Sequence, residues 1–396
     1  MRILRAAVIT AVLTPACVLG QRKIRLVKQT TPAFEKYLSS ASPTVQAWIR
    51  QHYWRMQVYS PYFDSKTTWY PNGWIYLDAY AIYATPPSGW EDIAMTHPEW
   101  ILKDRWGNRL YIPWDCDTLQ RTCPQYAADF SNAHYRSYWL QKAKDYLARG
   151  AYGGLWIDDV NLDFDVGDGE GKPITPVDLN TGATMTENNW RRYFAGFVED
   201  IRRAFPGVEI VHNSVWYSGG PELDSNPYVQ RQIAAADFIN IEHGVNDPNL
   251  TGGAGPWSLE ALLSFIERVN SRGKGVVLGG IGGASGDPAA VEFGLACYFL
   301  ISDGRNAAGD PGAVTSPDFL PAAFDLDLGS ALGTRTKWNG LHRRDFESGL
   351  VLVNPPGAPA ASVSFRQSYR RLDGTTVQSL ILKPRQGAIL LKSTSR

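Results

Sequence analysis

The sequence predicts an α/β fold: a closed (β/α)₈ barrel, the TIM-barrel architecture, followed by a small antiparallel β unit. Three observations carry this. From about residue 52 to residue 310, short apolar strand-like runs alternate with longer helical patterns. After about residue 335 the pattern changes to closely spaced short strands separated by turn residues such as Asn354-Pro355-Pro356-Gly357 and Asp373-Gly374. No Gly-x-Gly-x-x-Gly follows a first strand, so an open dinucleotide-binding sheet lacks its usual signature.

The elements follow in order. Trp54 to Tyr59 and Trp74 to Tyr83 are rich in aromatic and β-branched residues and read as strands, and Tyr126 to Phe130 reads as a shorter one. A helix is expected from His134 to Ala148, stopped by Arg149-Gly150. The next strand is Gly154-Leu-Trp-Ile-Asp158. Thr186 caps a helix ending near Phe205, with Pro206-Gly207 behind it. Strands are expected at Val208 to Val215, Phe238 to Ile241 and Gly275 to Ile281, with helices at Ser258 to Asn270 and Pro288 to Ser302. The glycines at 279, 280, 282 and 283 lack a following Lys-Ser/Thr, so they read as a tight strand-to-loop turn and not as a phosphate cradle. Short runs at 349–353, 362–365, 369–372, 377–382 and 388–391 form the terminal β unit. The expected organisation is a signal peptide over 1–20, a barrel over 21–335 and a β-sandwich-like domain over 336–396.

The signal-peptide reading rests on Arg2 and Arg5, the apolar run from Ala6 to Leu13, and small residues before a cut near Gly20. It implies a secreted or periplasmic protein; Cys17 as a lipidation site fits the flanking Thr14-Pro15-Ala16 less well. No stretch reaches about 18 consecutive apolar residues, so no membrane span is expected. Cys116 and Cys123 bracket a short polar loop and suit a disulfide in an oxidising compartment, whereas Cys297 lies in an apolar helical pattern and reads as a buried thiol.

Lys+Arg and Asp+Glu are both 39, so there is no basic excess of the kind nucleic-acid binding requires. Fourteen Trp and nineteen Tyr are present, more than half of them between Trp48 and Trp139. Such rings fill cores or stack on the apolar faces of sugar rings. Polar residues that close apolar strands mark the chemistry of a barrel, because catalytic groups come from strand C-termini. Asp158 and Asp159 close Leu155-Trp156-Ile157, Glu242 closes Phe238 to Ile241 and precedes His243, and His212 and Asn213 close Val208 to Val211. Asp78 and Asp129 lie near the ends of two more runs.

Glycosidic cleavage needs two carboxyl groups, one to protonate the leaving oxygen and one to attack or stabilise the anomeric carbon. Strand alternation places Asp158 on the same face as Trp156 and turns Asp159 away. Asp158 is therefore assigned as nucleophile or charge stabiliser, Glu242 as general acid/base, and Asp159 as a supporting acid. Tyr59, Asp64, Asp78, Asp129, His212, Asn213, Trp216 and His243 complete the expected substrate-binding set. The carboxylate series from Asp159 to Glu170 lacks the sixth-position glycine of an EF-hand, with Phe164 there instead, and reads as an acidic lip. No Cys/His spacing suggests zinc, and no cofactor is expected.

These residues resemble a known family. Gly154-Leu-Trp-Ile-Asp158-Asp159-Val-Asn161, Tyr59-Ser-Pro-Tyr62-Phe-Asp64, His97-Pro-Glu-Trp100 to Gly107-Asn108, Asp129-Phe-Ser-Asn132, and Arg344-Asp-Phe-Glu-Ser-Gly349 to Asn354-Pro355 are similar to bacterial glycoside hydrolases of the α-amylase-like barrel superfamily. Endo-α-1,4-polygalactosaminidases are more distantly similar. The resemblance implies a (β/α)₈ glycosidase acting on a poly- or oligosaccharide, with an Asp after the fourth strand and a Glu on a later one; Asp158 and Glu242 match. The Arg-x-Asp strand of true α-amylases is absent, Trp156 standing where the Arg would be, so starch-type specificity is not implied. The rival expectations are a non-catalytic glycan-binding barrel and a metal-dependent hydrolase.

Overall fold

The computed structural model describes residues 24–213, 223, 225–282, 287–310 and 320–393. The expected signal peptide and Trp216 lie outside the described residues.

In chain order the strands up to residue 309 are β1 (Leu26–Gln29), β2 (Tyr53–Val58), β3 (Gly73–Asp78), β4 (Ala81–Tyr83), β5 (Gln125–Ala127), β6 (Gly154–Asp158), β7 (Glu209–Asn213), β8 (Phe238–Ile241), β9 (Gly275–Leu278) and β10 (Ala307–Gly309). Eight of them close a parallel barrel in the order β1-β2-β3-β6-β7-β8-β9-β10, with β10 returning to β1. The closed barrel is the one the alternating pattern predicts.

Three details differ from expectation. The run Trp74 to Tyr83 breaks after Asp78, whose carboxylate accepts the backbone N–H groups of Tyr80 and Ala81 and so turns the chain out of the sheet. The excursion this opens contains β4 and β5, which pair antiparallel with each other outside the barrel, so Tyr126 to Phe130 supplies no barrel strand. The barrel's first and last strands, β1 and β10, carry weak apolar signals because β1 ends in Lys28-Gln29 and β10 is Ala-Ala-Gly.

The helices are α1 (Pro32–Ser39), α2 (Pro43–His52), α3 (Ile93–Thr96), α4 (Ala133–Leu147), α5 (Glu187–Ala204), α6 (Pro227–Ala235), α7 (Leu259–Ser271) and α8 (Pro288–Ile301). Their starts are chemically marked. Thr186 accepts from the Asn189 N–H, Ser258 from the Ala261 N–H and Asn132 from the His134 and Tyr135 N–H groups. The long amphipathic α5 buries Trp190, Phe194, Phe197, Val198 and Ile201 against the barrel.

Inside the barrel, alternation splits each strand between two environments. On β6, Leu155 and Ile157 join the outer core beneath the helices, and Trp156 joins an inner cluster with Val27, Trp74, Val211, Phe238, Val277 and Ala307. Ring pairs Trp54–Trp74, Trp74–Trp156 and Trp74–Phe238 lie 5.6, 5.9 and 5.7 Å apart and fill the lower barrel. The Trp74 indole N–H donates to Glu209, which also takes a forked bond from Arg55. This packing admits no side chain at residue 154: a Cβ on Gly154 would stand 2.3 Å from the Glu209 carbonyl oxygen and 2.6 Å from the Trp74 ring. The barrel is thus plugged at the bottom and open at its C-terminal rim.

Residues beyond 335 form one six-stranded antiparallel sheet: β11 (Thr336–Trp338), β12 (Leu341–Asp345), β13 (Gly349–Asn354), β14 (Ala361–Arg370), β15 (Thr376–Leu382) and β16 (Gln386–Lys392). This is the small antiparallel β unit expected, with all six strands hydrogen-bonded into one sheet. Val351, Val353 and Ile389 face the barrel's core, whereas Leu350, Leu352, Ala388 and Leu390 make a separate small core with Leu341, Val363 and Tyr369. The apolar α8 packs against the Val351, Val353 and Ile389 face of the sheet.

Lys28 on β1 and Asp310 just past β10 close the seam of the barrel, with Nζ–Oδ2 2.8 Å and both side chains buried. Removing one partner of a buried pair leaves an uncompensated charge and costs about 3–5 kcal/mol. Lys28→Met should therefore lower denaturant-measured stability by that order, and Lys28→Met/Asp310→Leu should recover much of it. Equal losses in the single and double variants would contradict this role of the pair.

Candidate active site

The open rim holds a cavity of about 520 Å³, a volume suited to a small ligand. Its walls come from seven of the eight strand ends or the loops after them: Gln29, Gln57 and Tyr59, Tyr76, Trp156 and Asp158, Asn213, Glu242 and His243, and Asp310. Gly280 completes the ring.

Asp158 stands on the same face of β6 as Trp156, as alternation predicts, and each of its oxygens is engaged. Oδ2 accepts the Tyr76 hydroxyl at 2.7 Å; Oδ1 accepts the Asn213 amide at 2.6 Å and the Asp159 backbone N–H at 2.9 Å. Three donors fix the carboxylate in one orientation. Glu242 projects more openly into the cavity and meets the same Asn213 amide nitrogen at 3.3 Å. One nitrogen within reach of both carboxylates caps the separation of those two oxygens at about 6 Å. Asn213 is itself held from below, its Oδ1 accepting the Asn240 amide at 2.5 Å.

The Glu242 loop is seated by close backbone approach. A Cβ on Gly279 would come within 2.5 Å of the Glu242 carbonyl oxygen. The late glycine run therefore serves as the strand-to-loop turn expected of it, bringing β9 against the base of the Glu242 loop.

Asp159 adopts φ 55, a left-handed conformation that swings its side chain out of the cavity and towards Asp78. Strand register sets Asp78 opposite Asp158. Burial, then the charges of Asp78 and Asp158, push Asp159 up to about 10; burial, then the charge of Asp158, push Asp78 up to about 7. At neutral pH Asp159 keeps its proton and donates it to Asp78, so the two acids behind Asp158 do not both carry charge.

The remaining expected site residues divide. Tyr59 lines the cavity with its ring 4.8 Å from that of Tyr76, and His243 lines it from the Glu242 loop. His212 does not reach it. It lies beside Ile210 on the outer face of β7, fully buried, and burial pushes its imidazole down to about 3. Asp64 is held by Ser60 and Tyr152 below the rim, and Asp129 caps the Ser131 turn in the excursion. Neither lines the cavity. Asp129 follows the apolar run Tyr126 to Ala128 and Asp64 ends the motif Tyr59 to Asp64, but tertiary structure gives both local hydrogen-bonding roles. Tyr76 and Gln57 also line the cavity, and Asn240 supports Asn213 beneath it, although none of them is an acid closing an apolar run. The alternation that selected Asp158 also places Tyr76 on the inner face of β3, two residues before the strand's end, and would have found it.

The shared proton has a thermodynamic consequence. Between the ordinary aspartate value of 3.8 and about 10, unfolding releases a proton from Asp159, so stability falls as pH rises through that window. Asp159→Asn keeps a donor to Asp78 without the proton. Its stability relative to wild type should improve by at least about 1 kcal/mol between pH 5 and pH 8.5, since each pKa unit corresponds to about 1.4 kcal/mol. Urea titrations at the two pH values read this directly; parallel curves for the two proteins would refute it.

No curated protein matches the chain. Among solved structures, it is similar to the glycoside hydrolase domain of PelA from Pseudomonas aeruginosa, at 14% identity and a TM-score of 0.42 over 74% of this chain and 95% of that one. An α-amylase from Anoxybacillus matches at 9% identity and a TM-score of 0.49, over 94% and 99% of the two chains. The noncanonic maltogenic α-amylase AmyB from Thermotoga neapolitana matches at 10% identity and a TM-score of 0.50, over 92% and 98%. At that identity the last likeness speaks to the fold. The family model described as hypothetical glycosyl hydrolase family 15 (GHL15) matches residues 55–350, three quarters of the chain and every barrel strand from β3 to β10. The chain belongs to that family and is a glycoside hydrolase.

Proposed function

We propose that the protein cleaves a glycosidic bond with retention of anomeric configuration, using Asp158 as nucleophile and Glu242 as general acid and then base. The observation that carries this is the Asn213 amide nitrogen, which reaches both carboxylates at once. Carboxyl groups about 5–5.5 Å apart leave no room for a water between nucleophile and sugar, whereas inverting pairs stand about 6.5–9.5 Å apart. The short span supports direct attack by a carboxylate.

The division of labour follows from the surroundings. Asp158, oriented by Tyr76, Asn213 and the Asp159 N–H, is poised to attack the anomeric carbon from a fixed position. Glu242, exposed to the cavity, is free to give a proton to the departing oxygen. The covalent glycosyl ester is then broken by a water that Glu242 deprotonates, which restores both groups. Trp156 closes the cavity floor, and Gln29, Gln57 and His243 offer hydrogen-bonding groups for sugar hydroxyls. Tyr59, already bonded by the Gln57 amide at 3.0 Å, adds a second aromatic wall.

We further propose that the protein is secreted or periplasmic. The amino-terminal pattern is that of a secretory signal, and the Cys116–Cys123 disulfide is the bond an oxidising compartment would preserve. Among the described residues no helix is long and apolar enough to cross a membrane.

Asp158→Asn and Glu242→Gln should each lower kcat on a cleavable polysaccharide by a factor on the order of 10² or more, with unchanged thermal unfolding. Near-wild-type turnover in both would remove the assignment. The configuration of the first-formed product, followed by NMR during the reaction, should match that of the substrate; an inverted product would exclude Asp158 as nucleophile.

A further inference from the structure

A second cavity, of about 120 Å³, adjoins the first across the Tyr59–Tyr76 ring pair, for both tyrosines line both spaces. It is set between the end of β3, the hairpin of β4 and β5, and helix α4, and its walls are strongly aromatic. Tyr83 and Trp90 meet edge to face at 5.7 Å, so ring faces stay available to a ligand, and each is about 40% exposed. Tyr138 and Tyr146 from α4 face them.

Lys142, one turn before Tyr146 on α4, also lines this cavity. Among the described residues its ammonium has neither a hydrogen bond nor an ion pair; its one contact of note is the Tyr146 ring, 5.9 Å away. Burial pulls it below the usual lysine value, opposed by Asp78. Asp78 also lines this cavity, but burial and the charge of Asp158 push its carboxyl up to about 7, so at neutral pH it offers Lys142 only part of a counter-charge. Glu91 stands on the exposed rim. A cation drawn out of water without a partner is costly, and an incoming anion would remove that cost. The space holds about four water volumes, enough for an acidic arm and the edge of a sugar ring but not for an oligosaccharide.

We propose that this cavity is a subsite for a carboxylate-bearing sugar unit, a uronate, whose ring lies against Tyr83 and Trp90 and whose carboxylate meets Lys142. The inference rests on the reading of the barrel mouth as the place of glycosidic cleavage, since the subsite would hold a unit of the same substrate.

Binding tests it independently of turnover. Saturation-transfer NMR titrations with sodium glucuronate and with glucose, on wild type, Lys142→Met and Lys142→Arg, read the charge preference directly. Wild type should bind glucuronate about tenfold more tightly than glucose, the order expected of one charge-assisted hydrogen bond. Lys142→Met should bind the two alike, and Lys142→Arg should keep most of the preference, with circular dichroism showing all three folded. Equal binding of the two sugars by wild type, or a preference that survives in Lys142→Met, would overturn the subsite. A protein that shows the preference yet cleaves nothing would leave the subsite standing and defeat the catalytic reading instead.

Discussion

Parallel pairing of eight strands is the constraint on which the rest of the molecule depends. Because every barrel strand runs the same way, every strand end opens onto one rim, and period-two alternation decides which side chain of each end looks inward. Trp156 and Asp158, Val211 and Asn213 occupy the inner face for that reason, while Ile157 and His212 pack outward. The inner layers differ sharply in chemistry. Indole and aliphatic groups plug the lower barrel, and a shell of amides, hydroxyls and carboxylates covers the plug at the mouth. The plug gives the polar shell a rigid floor, so that Asn240, Asn213, Asp158 and Tyr76 form one connected chain of hydrogen bonds.

Electrostatics at the mouth are managed by position more than by counter-ions. Three aspartates crowd the ends of β3 and β6. The strand gives Asp158 to the cavity and its donors, and the left-handed turn at Asp159 gives the next acid to Asp78. Pairing the two rear acids through a proton relieves repulsion that would otherwise act on Asp158. Asp158 is thereby kept beside two other carboxyls with no lysine or arginine among the described residues that line the cavity. Two nearby cations are committed elsewhere: Lys28 to Asp310 at the barrel seam and Arg55 to Glu209 at its base.

The long excursion after β3 gives the barrel its individual character. It breaks from the sheet at Asp78, builds the β4–β5 hairpin, carries the Cys116–Cys123 bond and delivers Tyr83 and Trp90 beside the mouth. The aromatic density read in this stretch divides between two uses. Trp100, Tyr80 and Phe130 are buried against α4 and α5, whereas Tyr83, Trp90, Trp106 and Trp114 keep substantial exposure. Composition counts both groups alike, because a ring buried in a core and a ring left exposed have the same residue type.

What the sequence determined by itself is what local rules govern. Apolar runs of the right length, helix caps at Thr186 and Ser258, and an acid directly behind Leu155-Trp156-Ile157 are sufficient for the barrel, for the inward face of Asp158 and for the prominence of Glu242. Tertiary structure decided what depends on distance across the barrel: that one Asn213 nitrogen spans both acids, that Asp159 shares a proton with Asp78, that His212 faces away from the cavity, and that Asp64 and Asp129 serve local turns. It also decided the strands with the least apolar signal, β1 and β10. Their residues are held by neighbours on both sides and by the Lys28–Asp310 contact, 282 positions apart in the chain, and no short window of sequence contains that information.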